Sequence, residues 1–128
     1  MGETRPKALI ADLEAIAPVP CPCGQARRGF LVPGNDAASI HLVDIQIDPV
    51  PHYHEKHTEI YYILEGEGFI ELDGEQSPVK AGTAILIPPG VRHRTLGKIR
   101  MLNVSIPPFD LEDELFDQGY GGSAPGKR

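Results

Sequence analysis

The segment "PHYHEKHTEIYY" at residues 51–62 contains three of the chain's five histidines, followed closely by a glutamate. In an extended strand, side chains two positions apart lie on the same face, so His52 and His54 point one way and Tyr53 the other. Two imidazoles about 7 Å apart along a strand can bind one metal ion. Glu59 follows after a short break, where a neighbouring antiparallel strand would bring its carboxylate beside the two rings.

A fourth ligand must come from a distant part of the chain, where the histidines are His41 and His93. In the segment before His93, Gly82, Pro88 and Gly90 predict a turn that returns a strand to the first histidine pair. His41 lies in an apolar run and is interpreted as a core or rim histidine. The predicted ligands of one divalent metal ion are His52, His54, Glu59 and His93.

Three imidazole nitrogens and one carboxylate do not select the metal. Four protein ligands would fill the coordination sphere of a tetrahedral zinc ion, which would then have a purely structural role. Iron(II), manganese or nickel, with six positions, would keep two open for a substrate or for dioxygen. A solvated surface cluster of the same residues is the simplest alternative.

Four further residues are candidates for contact with a substrate. Arg27 and Arg28 enter the first predicted strand, and whichever faces inward needs an anionic partner such as a substrate carboxylate or phosphate. Two exposed arginines on an edge strand are the simpler alternative. Tyr61 shares the face of Glu59 and lies deeper in the fold. His57 is out of phase with the histidine pair, which favours an exposed loop position over a substrate contact.

The two cysteines of the chain lie in the segment "CPCG". A disulfide between Cys21 and Cys23 would close a strained ring around Pro22, so both are interpreted as reduced thiols. By strand parity they share a face, where they could place a thiol near the mouth of a barrel.

The composition limits the classes of protein to which the chain can belong. A chain of 128 residues that is 41% hydrophobic, with a net charge of -6, is typical of one globular domain and disfavours nucleic-acid binding. No stretch approaches the roughly 20 apolar residues of a membrane span, and the N-terminus lacks the apolar core of a secretory signal. We therefore expect a cytoplasmic protein that binds neither nucleic acid nor membranes.

Short runs rich in valine, isoleucine and tyrosine, separated by glycine and proline, predict eight or nine strands in a barrel or sandwich. The predicted strands cover 28–32, 38–47, 51–54, 59–64, 68–72, 76–79, 84–87, 91–95 and 99–106. Turns are predicted at 65–68 and at Asp73-Gly74. Apolar residues at helical spacing predict a short helix over 6–16. The predicted division is an N-terminal helix and extension at 1–27, a barrel at 28–110, and an acidic segment with a mobile tail at 111–128.

Two motifs resemble those of the cupin family. The first has the spacing His-x-His-x4-Glu-x6-Gly, matched by His52, His54, Glu59 and Gly66. The second has the spacing Gly-x5-Pro-x-Gly-x2-His, matched by Gly82, Pro88, Gly90 and His93. Gln46 and Gly97 depart from the pattern, where the family often has glycine and asparagine, and both affect local loop geometry. The resemblance implies a small single-domain cupin, an antiparallel jelly-roll β-barrel with the metal inside, which is commonly a homodimer.

The expected function follows from this metal set. We expect a metal-binding cupin that acts on or binds a small organic molecule, such as a metal-dependent dioxygenase or isomerase. A non-catalytic binding module and a barrel with a purely structural metal are the alternatives. No base or nucleophile stands out beside the predicted ligands, so the sequence names no reaction.

Overall fold

Eight antiparallel strands form the framework of the computed structural model, which describes residues 7–117. The strands are β1 (Val19–Cys21), β2 (Gly24–Gly29), β3 (Ser39–Ile45), β4 (Thr58–Leu72), β5 (Glu75–Lys80), β6 (Ala84–Ile87), β7 (His93–Leu96) and β8 (Ile99–Ile106). The first half of β4 pairs with β8 and β6, and its second half pairs with β5 and β7. The predicted all-β antiparallel fold is confirmed. The predicted mobile tail lies outside the described residues.

Inward-facing residues form rows across the paired strands, and their chemistry changes along the sheet. One row is apolar, because Val43 pairs with both Ala26 and Met101, and Met101 pairs with Ile63. All four side chains are buried in the core. This row stabilises the core directly beside the polar rows.

The next two inward rows are polar. The first contains Arg28, His41, Asn103 and Tyr61, which pair in that order across β2, β3, β8 and β4. The second contains Ser39, Ser105 and Glu59. A buried polar group is costly unless it is hydrogen-bonded, so this end of the fold is where a functional site is expected.

The predicted N-terminal helix is wrong. The structure has only a 3₁₀ turn, Leu13–Ala15, whose first backbone groups are capped by Asp12. Arg27 donates to the backbone oxygens of residues 14 and 16, so these carbonyl groups have tertiary partners instead of helical ones. Ile10, which the helix needed to bury, is 99% exposed. No helix in residues 7–117 is both long enough and apolar enough to cross a lipid bilayer.

The predicted turn at 65–68 is also wrong, because β4 continues through it. A register shift between Ile63 and Glu65 marks an irregularity, and Gly66 follows with a φ of 92°. A Cβ atom on Gly66 would lie 2.3 Å from the backbone oxygen of Lys98, so only glycine lets β8 approach this closely. The hairpin at Asp73-Gly74 is confirmed by positive φ angles of 48° and 89°.

Several of the predicted strands shift by one or two residues at an end, and two others differ more. The predicted strand at 28–32 is β2, which starts earlier, at Gly24, and ends at Gly29. The segment 51–54 contains only isolated bridges, one from His52 to β7 and one from Tyr53 to Leu115. These bridges still hold the histidine segment against the rest of the fold.

Candidate metal centre

The four predicted ligands come together in the structure. One nitrogen or oxygen atom from each of them lies within 4.8 Å of the others. The two motif segments are joined directly by backbone hydrogen bonds. His52 donates to the carbonyl oxygen of His93 at 3.1 Å, His93 donates back at 2.8 Å, and Gly90 donates to the carbonyl oxygen of His54 at 2.7 Å. Glu59 lies near the start of β4 and faces this junction.

The tautomers of two histidines follow from their backbone partners. His54 Nδ1 lies 2.7 Å from the carbonyl oxygen of Asp113, and His93 Nδ1 lies 2.8 Å from that of Val91. A carbonyl oxygen can only accept, so each Nδ1 carries a hydrogen and a neutral ring has its lone pair on Nε2. Metal-binding histidines are typically oriented in this way.

Both Nε2 atoms face the same carboxylate oxygen. His54 Nε2 lies 3.3 Å and His93 Nε2 lies 3.1 Å from Glu59 Oε1. Two lone pairs and an ionised carboxylate are all acceptors, so a cation must lie among them, either a proton or a metal ion. The donor set of imidazole nitrogens and one carboxylate therefore fits a divalent metal.

Glu59 is ionised in spite of being 2% exposed. Burial alone raises its pKa, but where a hydrogen on Nε2 of His54 and His93 takes the place of a metal ion, hydrogen bonds from these rings outweigh burial and hold the pKa of Glu59 well below its usual range. Asn103 donates to Oε2 at 3.1 Å, and the Tyr61 hydroxyl donates to Oε1 at 3.3 Å. Burial, followed by the charge of Glu59, raises the pKa of Tyr61 well above its ordinary value, so the phenol keeps its proton.

A segment near the C-terminal end of the described chain closes over the cluster. Leu115 exchanges two backbone hydrogen bonds of 2.9 Å with Tyr53. The carboxylate of Asp113 accepts from the backbone nitrogens of Glu55 and Lys56, each at 2.9 Å. Glu114 is 6% exposed, and its Oε2 lies 4.0 Å from His52 Nε2.

The cluster borders a narrow cleft of about 50 Å³, which has room for a few water molecules or one end of a small ligand. Besides candidate ligands, the cleft is lined by Cys21, Cys23, Arg28, Tyr61 and Glu114. Larger surface depressions lie elsewhere and contain none of the candidate ligands. The candidate chemical groups of this molecule therefore lie at a narrow cleft and not at one of these larger depressions.

Comparison with known proteins identifies the family. A sequence profile described as the cupin domain matches residues 41–103, which include every candidate ligand. A crystal structure of a protein from Planctomyces limnophilus is 38% identical, with a TM-score of 0.80, and the match covers 86% of this chain and 97% of that one. The chain belongs to the cupin family. The predicted resemblance is thus confirmed.

Curated relatives of this cupin and a structural neighbour extend the comparison. The uncharacterized protein MJ1618 of Methanocaldococcus jannaschii is 44% identical over 76 residues, which cover 56% of this chain and 61% of that protein. The matches to three curated relatives span 60 to 64% of their length. Pac13 of Streptomyces, a nucleoside dehydratase, is 20% identical with a TM-score of 0.74 over 84% of this chain and 89% of that one, a likeness of fold alone.

The two arginine candidates of the cupin lie on opposite faces of β2. Arg28 lines the cleft, where its Nη1 lies 3.1 Å from His41 Nδ1 and its guanidinium carbon lies 4.1 Å from the centre of the Phe109 ring. No carboxylate in residues 7–117 forms an ion pair with it within 4.0 Å. Arg27 points away, toward the N-terminal 3₁₀ turn.

A short hydrogen-bond chain orients Arg28. The guanidinium can only donate, so His41 Nδ1 accepts and its Nε2 carries the hydrogen that is donated to Ser39 Oγ at 2.8 Å. The backbone nitrogen of Phe109 donates to the same hydroxyl oxygen at 2.9 Å. Burial, with the charge of Arg28 next in importance, lowers the pKa of His41 to about 4.

The expectation that His57 is an exposed loop residue is wrong, since it is 1% exposed. Its Nδ1 lies 3.7 Å from Asp113 Oδ2, and its ring centre lies 4.8 Å from that of His54. Burial, followed by the nearby His54, lowers the pKa of His57. His57 therefore packs beside the candidate centre and is absent from the group of four ligands.

Sequence reasoning missed Asp113 and Glu114, which were taken as part of an acidic C-terminal segment. In the segment "FDLEDELFD", acidic residues are interspersed with leucine and phenylalanine. Such a pattern is unusual for a fully solvated segment. It was the sequence signal that this segment packs on the rest of the protein and brings some of its carboxylates into contact with it.

Proposed function

We propose that this cupin binds one divalent metal ion through His52, His54, Glu59 and His93 and acts on a small organic anion in the adjoining cleft. The observation that supports this most directly is the pair of Nε2 lone pairs directed at the Glu59 carboxylate. A divalent metal bound there supplies a Lewis acid at the edge of the cleft.

The residues of the cleft suggest the class of substrate. Arg28 offers a guanidinium that has no carboxylate partner within 4.0 Å among residues 7–117. A divalent ion held by the four ligands and the guanidinium of Arg28 would both present positive charge to the cleft. A small carboxylate or phosphate is therefore the favoured ligand.

The same residues favour proton transfer over oxidation as the reaction. Glu114 places a nearly buried carboxylate in the cleft, 4.0 Å from His52, where it can accept and return a proton of a bound substrate. The single hydroxyl hydrogen of Tyr61 is donated to Glu59, so Tyr61 orients a candidate ligand and Glu114 is the group proposed to move the proton. We therefore favour a metal-assisted isomerase over a dioxygenase.

The proposal is tested first by locating the metal. Crystals of the purified protein, grown with iron(II), manganese, nickel or zinc in turn, are expected to show anomalous scattering at the junction of the four ligands. The loaded protein is then incubated with small carboxylates and sugar phosphates, while product isomers and oxygen uptake are measured. Scattering elsewhere would contradict the site. Oxygen consumption would favour a dioxygenase, and the absence of turnover with a tightly held ligand would favour a binding module.

Arg28→Met is expected to weaken binding of malonate, a small dicarboxylate probe, by roughly 10- to 100-fold, because a charge-assisted hydrogen bond is lost. Arg28→Lys should lose less malonate affinity than Arg28→Met, because lysine keeps the positive charge but lacks the planar guanidinium. Isothermal titration calorimetry on the metal-loaded protein measures both. Arg27→Met is the matched control, because Arg27 lies outside the cleft, and equal losses in the two methionine variants would refute this role of Arg28.

We also propose that two copies of this cupin associate through the outer face of β4 and β6. Ile60, Tyr62 and Leu64 on β4 point outward and are exposed, and Leu86, which is 64% exposed, lies beside Ile60 on β6. Such a contiguous apolar face is typical of an interface. Leu86→Lys is expected to convert a dimer into a monomer in light scattering, whereas Ile10→Lys should not. A wild-type monomer at high concentration would overturn the proposal.

A further inference from the structure

The two cysteines lie at the tip of the hairpin between β1 and β2. Cys21 pairs with Gly24, so Pro22 and Cys23 form the two-residue turn. The Sγ atoms of Cys21 and Cys23 are 2.9 Å apart and within hydrogen-bonding distance. The turn is fixed, because the Cys23 carbonyl oxygen accepts from the backbone nitrogens of residues 46 and 47 at 2.7 and 3.2 Å.

Both sulfurs are half-buried and line the cleft, yet the proposed metal chemistry uses neither of them. We propose that Cys21 and Cys23 form a reactive dithiol at the edge of the cleft, which reduces low-molecular-weight disulfides and becomes an intramolecular disulfide. This proposal does not depend on the metal or on the reaction proposed above.

The surroundings of the two thiols give them different roles. The hydrogen bond with Cys23 is the main cause that lowers the pKa of Cys21 to about 7, and the charge of Arg28 acts in the same direction. The pKa of Cys23 is raised by the same hydrogen bond, then by burial and by the charges of Cys21 and Glu114. The 2.9 Å contact lets one sulfur stabilise the other as a thiolate, and the charge of Arg28 favours Cys21 as the attacking thiolate, which leaves Cys23 as the resolving thiol.

The reaction proceeds in two exchange steps. The Cys21 thiolate attacks one sulfur of the small disulfide, forms a mixed disulfide and releases the first small thiolate. Cys23 loses its proton to water and attacks the Cys21 sulfur, which forms the Cys21–Cys23 bond and releases the second small thiolate. Two electrons pass from the cysteines to the small disulfide, which is recovered as two thiols.

The strain of a ring with one intervening residue means that this exchange runs toward the protein disulfide only when the small disulfide is in excess. A strained disulfide is easily reduced, so the oxidised pair returns to the dithiol when small thiols are abundant. The strain that argues against a permanent structural disulfide thus makes a transient one reversible.

The test uses glutathione disulfide with the full-length chain at pH 7 and intact-mass spectrometry after acid quenching. Glutathione disulfide is in excess, and because the chain has two cysteines, an adduct on a single variant must be on the cysteine that remains. The wild type is expected to lose two hydrogens with only a transient adduct. Cys23→Ser should accumulate one glutathione adduct on Cys21, and Cys21→Ser should react roughly ten-fold more slowly.

The double variant Cys21→Ser/Cys23→Ser is the control and should show no mass change. A wild type that stays fully reduced, that retains a stable adduct, or that forms a covalent dimer would overturn the proposal. Equal adduct rates in the two single variants would overturn the assigned roles. Because the wild-type result needs no substitution, it stays decisive even if a serine variant fails to fold.

Discussion

Glu59→Gln is expected to abolish specific metal binding while leaving the fold intact. The Glu59 carboxylate lies between His54 Nε2 and His93 Nε2, at 3.3 and 3.1 Å, and supplies the negative charge of the ligand set. Loss of a group that only orients a ligand costs 10- to 100-fold in metal affinity, so loss of the carboxylate itself should cost at least about 100-fold.

The metal-free variant should nevertheless be stable. The new amide nitrogen can donate a hydrogen bond to one of the two Nε2 lone pairs, which replaces two facing acceptors by a donor and an acceptor. We expect the free energy of unfolding of the metal-free protein to change by no more than about 1 kcal/mol. The rise in melting temperature that added metal gives the wild type should disappear.

Calorimetric titration with zinc and manganese, combined with thermal unfolding, measures both effects. Glu67→Gln is the matched control, because it makes the same chemical change at an exposed position of the same strand. Metal affinity like that of the wild type in Glu59→Gln would remove Glu59 from the ligand set. An unfolded metal-free variant would instead show that the carboxylate has a structural role.

The candidate site was predictable where strand parity determines which residues share a face. His52, His54 and Glu59 could be grouped because they lie on short extended segments joined by a brief break. The position of His93 followed from a motif, and the backbone bonds between His52 and His93 show the physical basis of that motif. The identity of most strands was predictable for the same reason, since alternation needs no knowledge of distant partners.

The N-terminal helix could not be judged from its own residues. The spacing of Leu9, Leu13 and Ile16 fits a helix, but the 3₁₀ turn Leu13–Ala15 contains no fully buried residue. Leu9 is half exposed, and Arg27 binds the backbone oxygens that a helix would have used. Such tertiary contacts override a weak local preference.

The position of His57 depended on a residue far along the chain. Asp113 accepts hydrogen bonds from the backbone of Glu55 and Lys56, which fixes the loop and turns His57 inward. In a loop, parity does not determine direction, so the sequence around His57 could not reveal its burial. The same contact places Glu114 in the cleft, which is why no base was apparent from the sequence.

Acid is expected to destabilise this cupin partly through His41, which is fully buried. Burial, with the charge of Arg28 next, lowers the pKa of His41 from 6.5 to about 4. Between these values the unfolded chain binds a proton that the folded protein excludes. The free energy of unfolding should therefore fall by about 3 kcal/mol, from this one group, as the pH drops from 6.5 toward 4. Below pH 4 this contribution should level off.

His41→Gln isolates this contribution because glutamine cannot titrate. Its amide oxygen can accept from Arg28 and its amide nitrogen can donate to Ser39, so the hydrogen bonds that orient Arg28 can be retained. Urea unfolding of both metal-free proteins at pH 7, 5.5 and 4 measures this contribution. Between pH 7 and pH 4, the free energy of unfolding should fall by about 3 kcal/mol more in the wild type than in the variant. The other titrating groups are common to both proteins, so parallel pH profiles would show that His41 is not the group that acid protonates.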